Sequence, residues 1–316
     1  MHLILAPLHG FTDATFREVY FRHFRGFDEA MAPFVSLTHG RKITAIKVRD
    51  LVPQSHSGIP LIPQILGNES EDFIVLCNYL NKELGYTEVN WNLGCPVKGI
   101  VNKKRGCGLL PHPEKIDRFL EKVIPASPVR LSVKLRLGYF SVDEFPEVMT
   151  ILNRYPISRL IVHPRTGIQQ YAGNVLVEDL ERFLPLIQQK VTYNGDIFSF
   201  PDFQAIRNRF SAIDSFMLGR GVFYNPFLAE IIRANNSTLP GDAASRFRNY
   251  YFDLESAEKS FRSSWMGRMK EYWKYFVDFQ GMDKDKLIQI LRCRTENEWS
   301  RLTNGLLFSM KAVGST

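Results

Sequence analysis

Short apolar runs alternate with amphipathic stretches along most of the chain. The runs cover 3–8, 29–36, 61–66, 88–93, 129–135, 159–163, 191–193 and 215–218, with Gly, Pro, Asn or Asp soon after each. Such punctuation marks strand exits. Between them, 70–84, 113–123, 143–154, 177–189 and 201–209 carry the spacing of one-sided helices. Strand–helix alternation repeated eight times predicts an α/β fold, a TIM (β/α)8 barrel. An open, doubly wound sheet is the rival. The number of runs and the spread of polar motifs over many strand ends favour the barrel. After Pro226 the texture changes to helical patterns rich in aromatic residues, with no convincing strand. The pattern therefore predicts a barrel domain over 1–237, a linker over 238–242 and a C-terminal all-helical domain over 242–316.

A chain of 316 residues is long enough for a barrel of about 250 residues and a small appendage. The hydrophobic fraction of 45% is ordinary for a globular protein. The four cysteines (Cys77, Cys95, Cys107 and Cys293) form no CxxC pair. That argues against structural zinc and for a reducing, cytoplasmic setting; no metal is expected. The first residues lack a basic segment and Asp13 cuts their apolar run short, so no signal peptide is expected. No run of about 20 apolar residues predicts a membrane span. A net charge of +7 and a pI near 9.2 fit either a mildly basic enzyme or a protein with a polyanionic partner. Charge alone favours neither.

The chemistry lies at the strand exits. After the fourth run comes Asn92-Leu93-Gly94-Cys95-Pro96, then Lys98 and Gly106-Cys107-Gly108-Leu109-Leu110. Barrel active sites form at strand C-terminal ends. A thiol there is a nucleophile or a proton donor, or simply a small packing residue. In the fifth run Lys134 interrupts an apolar strand, which is unfavourable without a partner. It either steadies an electron-rich ring, or it faces a loop or pairs with a carboxylate. The sixth run ends in His163-Pro164-Arg165-Thr166. A lone histidine is more often structural, but Arg165 and Thr166 point to an anion or flavin site. Asn194-Gly195-Asp196-Ile197 and Gly219-Arg220-Gly221 follow the seventh and eighth runs. Loops there commonly bind phosphate, with glycine admitting the ligand to the backbone and arginine completing the cradle.

The segment around Cys95 resembles the signature of the tRNA-dihydrouridine synthases, flavin enzymes that reduce uridine in transfer RNA. Trp91 and Cys107 depart from it, standing where an aliphatic residue and Ser or Ala are usual. The resemblance extends at intervals from about residue 3 to 228, and weakly into the tail. It makes Cys95 the proton donor. It gives the flavin Pro7 (through the backbone of Ala6-Pro7), Gln64, Lys134, His163, Asn194, Gly195, Asp196, Gly219 and Arg220. Substrate or RNA contacts fall to Asn92, Lys98, Arg165, Arg268 and Lys270, the last two in a segment similar to the family's Arg-x-Lys-x-Trp helix. Pro164 replaces the family's Gly or Ala and removes a backbone N–H.

A single phosphate cradle without a GxGxxG fingerprint points to FMN rather than FAD, and NADPH is the reductant expected. The partner implied is tRNA, with no DNA and no membrane; a monomer is expected. The expected function is FMN-dependent reduction of the uridine C5–C6 bond in tRNA, with the base extruded into the pocket. The alternatives are an FMN barrel oxidoreductase acting on a free small molecule, such as a dihydroorotate or dihydropyrimidine enzyme, and a weakly catalytic RNA-binding protein that keeps the fold.

Overall fold

A computed structural model describes residues 1–37, 43–44, 48–52, 58–279 and 284–308; residues 309–316 of the expected helical domain lie outside it. The strands are β1 (His2–Leu5), β2 (Glu29–Met31), β3 (Leu61–Ile62 and Gln64–Ile65, interrupted at Pro63), β4 (Glu88–Leu93), β5 (Arg130–Gly138), β6 (Arg159–Thr166), β7 (Lys190–Tyr193) and β8 (Ser215–Leu218). All pair in parallel, in the order β3-β2-β1-β8-β7-β6-β5-β4-β3. The first half of β3 pairs with β2 and the second with β4, so the chain through Pro63 closes the barrel. Pro63 has no N–H to give, but its carbonyl accepts the Asn90 N–H at 2.8 Å.

The helices between strands are α1 (Ala14–His23), α2 (Ser70–Lys82), α3 (Pro113–Ala126), α4 (Phe145–Leu152), α5 (Val177–Phe183), α6 (Phe200–Arg209) and α7 (Leu228–Ala234). All eight expected strands are present, with shifted ends. β1 and β2 stop early; beyond them the pairing continues only as single bonds and an isolated bridge of Val35 to Ile65. β6 continues through Pro164 to Thr166 by a register shift against β5. The shift lets a residue without an N–H sit in the strand. The helix expected over 177–189 ends at Phe183 in a short 3-10 turn holding Pro185.

Strand periodicity sorts the side chains into two cores. Leu3, Leu5, Val89, Trp91, Leu93, Leu131, Val133, Leu135, Leu160 and Val162 point outward, into the large apolar cluster shared with the helices. Trp91, for example, stacks on Phe119 of α3 at 4.1 Å. The alternate positions point into the barrel. Their apolar members, Ile4, Ala6, Met31, Ile62, Ile161 and Met217, form a separate small cluster. Polar residues lie above and below that layer, so the barrel is filled rather than hollow.

The tail forms α8 (Ala243–Phe261), α9 (Trp265–Phe279), α10 (Lys284–Arg292) and α11 (Glu296–Phe308). It packs tightly on the barrel beyond the segment 238–242. Tyr250 meets Phe24, just after α1, edge-on at 4.9 Å, and Tyr272 stacks on Phe223 at 6.0 Å. One apolar cluster runs through both regions. Burial of large aromatic side chains, each worth about 1.5–3 kcal/mol, holds the tail against the side of the barrel near the end of β1. No helix among the described residues is long and apolar enough to cross a membrane.

Candidate active site

The barrel's C-terminal mouth opens into a cleft of about 920 Å³ that includes Cys95, Asn92, Gln64, Lys134, Arg136, His163, Tyr171 and Arg220 in its wall. A smaller pocket of about 70 Å³ adjoins it, lined by Pro7, Lys134, His163, Asn194, Gly195, Asp196, Gly219 and Arg220 among others. The sequence places these groups together because each occupies an inward position near the end of a strand, or the exit loop after one.

Below the cleft lies a buried amide ladder. Gln64 donates from Nε2 to Asn90 Oδ1 at 2.8 Å, and Asn90 donates to Ser132 Oγ at 3.1 Å. Asn92 Nδ2 donates to Gln64 Oε1 at 2.7 Å. The Oδ1 of Asn92 accepts the backbone N–H groups of Gly94 and Cys95 at 3.0 and 2.9 Å. Asn92 thereby fixes the turn that presents the thiol, and Gln64 fixes Asn92. Both amides, expected to face substrate and flavin, are largely occupied within the protein.

A second bracket holds the Cys95 loop from behind. The N–H and Sγ of Cys107 both lie 3.2 Å from the Cys95 carbonyl. Gly106 has φ +57°, and a Cβ there would come within 2.5 Å of that same carbonyl. Only glycine fits. Cys107 is fully buried, and burial pushes its thiol up to about 12, so it is an inert packing group. Arg136 supplies a third hold. Its Nε donates to the Gly94 carbonyl at 2.9 Å, and its Nη1 to the carbonyls of Thr166 and Gln170 at 2.8 and 2.6 Å.

Cys95 itself is partly exposed to the cleft. Burial raises its pKa, and the nearby Arg136 and Lys134 charges only partly oppose that shift. The thiol therefore stays protonated at neutral pH and is suited to giving a proton rather than attacking as a thiolate.

The electrostatics of the mouth are one-sided. Asp196 bridges two guanidiniums, with Arg165 Nη2 at 2.7 Å and Arg220 Nη2 at 2.8 Å. Lys134 has no carboxylate partner among the described residues. Burial, and then the charge of Arg136, lower its pKa to about 7. His163 is buried and held well below its ordinary pKa, first by burial and then by Arg136, Lys134, Arg165 and Arg220. It is neutral at physiological pH. Four cationic side chains against one carboxylate leave the site in need of an anion.

The residues fit a phosphorylated flavin. The cleft is within the usual range of about 300–1,000 Å³ for small-molecule sites. At Gly219 an added Cβ would meet only Ala6 Cβ, at 3.6 Å, so the backbone is open to the pocket. Arg220 and the glycines beside it present a charge and main-chain N–H groups on one wall. Lys134 and His163 stand between that wall and the Cys95 side of the cleft.

Other expected residues lie elsewhere. Arg165 is 1% exposed and held by Asp196, which it shares with Arg220. Arg268 reaches the β1 loop, bonding the Phe11 carbonyl at 3.0 Å and Asp13 at 3.1 Å, with Glu258 at 3.5 Å. It braces α9 against the barrel, close to a strand end rather than remote from one. Lys270 donates to the Cys293 carbonyl inside the tail. Lys98 is exposed beside Cys95 at the cleft rim. Arg136, Asn90 and Ser132 were not singled out from the sequence. Their signal was the period of two that links them to Lys134 and Asn92. Tyr171 lies between Arg136 and Arg220, 5.4 and 4.8 Å from its ring centre.

The family model described as dihydrouridine synthase (Dus) matches residues 4–283. The chain is 29% identical over 285 residues to a tRNA-dihydrouridine(16) synthase of Neisseria meningitidis serogroup B, covering 85% of this chain and 84% of that one. It is 30% identical to the tRNA-dihydrouridine(16) synthase of Pseudomonas putida, covering 74% of each. A probable tRNA-dihydrouridine synthase of Staphylococcus epidermidis is also 30% identical, over 72% of this chain and 70% of its own. Among solved structures, morphinone reductase superposes with a TM-score of 0.51 at 13% identity, over 78% of this chain and 88% of that one. That likeness is one of fold.

Proposed function

This chain belongs to the dihydrouridine synthase family, and on that premise we propose that it is an FMN-dependent tRNA-dihydrouridine synthase with Cys95 as its proton donor. The observation that carries the reading is a protonated thiol fixed at the edge of a cation-rich cleft. Conjugation of the uracil C5–C6 bond with the C4 carbonyl makes C6 the electrophilic carbon. FMN, when bound, supplies the hydride that C6 accepts, and NADPH replenishes it.

The chain's own residues account for the remainder. Hydride arrival at C6 leaves an electron pair on C5, and the Cys95 S–H bond breaks to place its proton there. Arg136 and Lys134 stabilise the thiolate left behind, which regains a proton from solvent. Lys134 and neutral His163 would hold the cofactor ring, and Arg220 with the Gly195 and Gly219 backbones would hold its phosphate. Asn92 and Arg136 act as positioning residues through the Cys95 turn. An extruded base is required, since a stacked nucleotide cannot reach a group inside the barrel mouth.

The test is direct. Purified protein is expected to release FMN on denaturation and, with NADPH, to form dihydrouridine in unmodified tRNA. Release of FAD or of no flavin would overturn the cofactor assignment. Reduction of free pyrimidines but not tRNA would replace this reading with the small-molecule one.

A further inference from the structure

We propose that Lys103 and Lys104, on the turn behind the Cys95 loop, together with Lys115 at the start of α3, form the anchor for the phosphate backbone of the RNA strand entering the cleft. The proposal rests on RNA being the substrate. It moves RNA contact away from Arg268 and Lys270, which are bound internally.

The turn is rigid. Lys103 and Lys104 close it with N–H bonds to the Ile100 and Val101 carbonyls at 3.0 and 2.8 Å. Asn68, from the loop after β3, grips it from outside. Its Nδ2 donates to the Lys103 carbonyl, and its Oδ1 accepts from Arg105 Nε, both at 3.0 Å. Lys104 has φ +52°, a left-handed conformation that side-chain-bearing residues seldom adopt. The turn then feeds through Gly106 into Cys107, which bonds to the Cys95 carbonyl. Anything seated on the turn is therefore held in register with the thiol.

The charges lack ion-pair partners. Lys103, Lys104 and Lys115 have no carboxylate partner among the described residues, whereas Arg154, Arg182, Arg209 and Lys274 on other surfaces are paired. Glu114, next to Lys115, lies 3.9 Å from His112 instead. Lys104 crowds Lys115 closely enough that its contact and charge draw the Lys115 pKa below the ordinary lysine value. Ammonium groups held together without an ion-pair partner, with the charge of Glu114 only partly opposing their repulsion, suit a polyanion, whose binding relieves that repulsion and releases condensed cations. Exposed Val97 and Lys98 continue the surface to the cleft rim.

The experiment compares wild-type holoenzyme with the triple variant Lys103→Gln, Lys104→Gln, Lys115→Gln. It measures tRNA affinity over a salt series, flavin content, and flavin reduction by NADPH. The expected result is a loss of tRNA affinity on the order of tenfold, with a log–log salt slope shallower by about 2, since each lost phosphate contact removes roughly 0.7–0.9. Flavin content and reduction by NADPH stay unchanged, and the melting temperature is equal or higher because the repulsion is gone. Unchanged affinity and slope, in a protein whose wild type binds tRNA, would overturn the proposal while leaving the functional reading intact. So would a defect confined to NADPH, which would assign the cluster to the dinucleotide phosphate. A wild type with no salt-dependent tRNA binding would remove the functional reading itself.

Discussion

The two mouths of the barrel are built from the same strands and differ in charge balance. At the N-terminal mouth, Arg159 pairs with Glu29 and lies 3.3 Å from Glu88, Arg130 reaches Glu88 at 3.5 Å, and His2 reaches Glu29 at 3.5 Å. At the C-terminal mouth, Arg165 and Arg220 share Asp196, while Lys134 and Arg136 have no carboxylate partner among the described residues. Both ends bury charge. Only one satisfies it from within the chain. A closed set of ion pairs plugs a barrel, and an open set requires a ligand; that difference, rather than burial, separates support from function.

Four experiments can break or sharpen that contrast. Cys95→Ala is expected to lower dihydrouridine formation by about 10²–10⁴-fold, the usual range for a lost general acid. Flavin content and reduction by NADPH should be retained, as absorbance and single-turnover rates would report. A comparable loss from Cys107→Ala would reverse the roles of the two thiols. At the opposite mouth, Arg159→Met should leave Glu29 with only His2 and Glu88 with only Arg130, and destabilise the protein by about 1–3 kcal/mol, the cost of leaving a largely buried polar group under-satisfied. Denaturant titration measures this, and kcat should be unchanged in the folded fraction. A catalytic defect without destabilisation would mean that the plug is part of the site.

Arg220→Ala should weaken FMN retention by about 1.5–3 kcal/mol, the worth of a hydrogen bond to a charged group. Equilibrium dialysis at constant ionic strength is the check, and a change in folding stability without loss of FMN would make Arg220 a mere partner of Asp196.

The last test concerns Lys134 in protein stripped of flavin. Its folded pKa is about 7, below the unfolded value of about 10.4. Between those values the unfolded chain binds more protons, so this group makes stability increase with pH across that window. Below pH 7 both states are protonated and its slope vanishes, with the full penalty of burying the charge in force. Lys134→Met should flatten the rise in melting temperature from pH 7 to 10. Anionic reduced flavin should raise the Lys134 pKa and flatten it as well. A slope unaffected by the substitution would assign the pH response to other groups.

The strand–helix count, the Cys95 motif and the glycine cradles were legible in the sequence, because each is a local pattern. The period of two made β4 to β6 recognisable as strands and contained the rule that puts Lys134 and Arg136 on one face. What it could not give was the partner of each inward group. Gln64, Asn90 and Ser132 lie on three different strands, and their ladder exists only once barrel closure fixes the register. Arg268 shows the same limit from the other side. As a basic residue in a helical tail it suits a phosphate, yet docking of α9 turns it onto Phe11 and Asp13.

The sequence by itself determined the architecture and the chemical type of the site, since hydrophobic periodicity, turn residues and a motif's residue types act over a few positions. The tertiary structure decided which charges are neutralised and which remain open. Asp196 closes on Arg165 and Arg220 across 31 and 24 residues of sequence separation, while Lys103, Lys104 and Lys115 find no such partner among the described residues. Coulomb energies depend on distance and burial in space, and neither is fixed until strands far apart in the chain have paired.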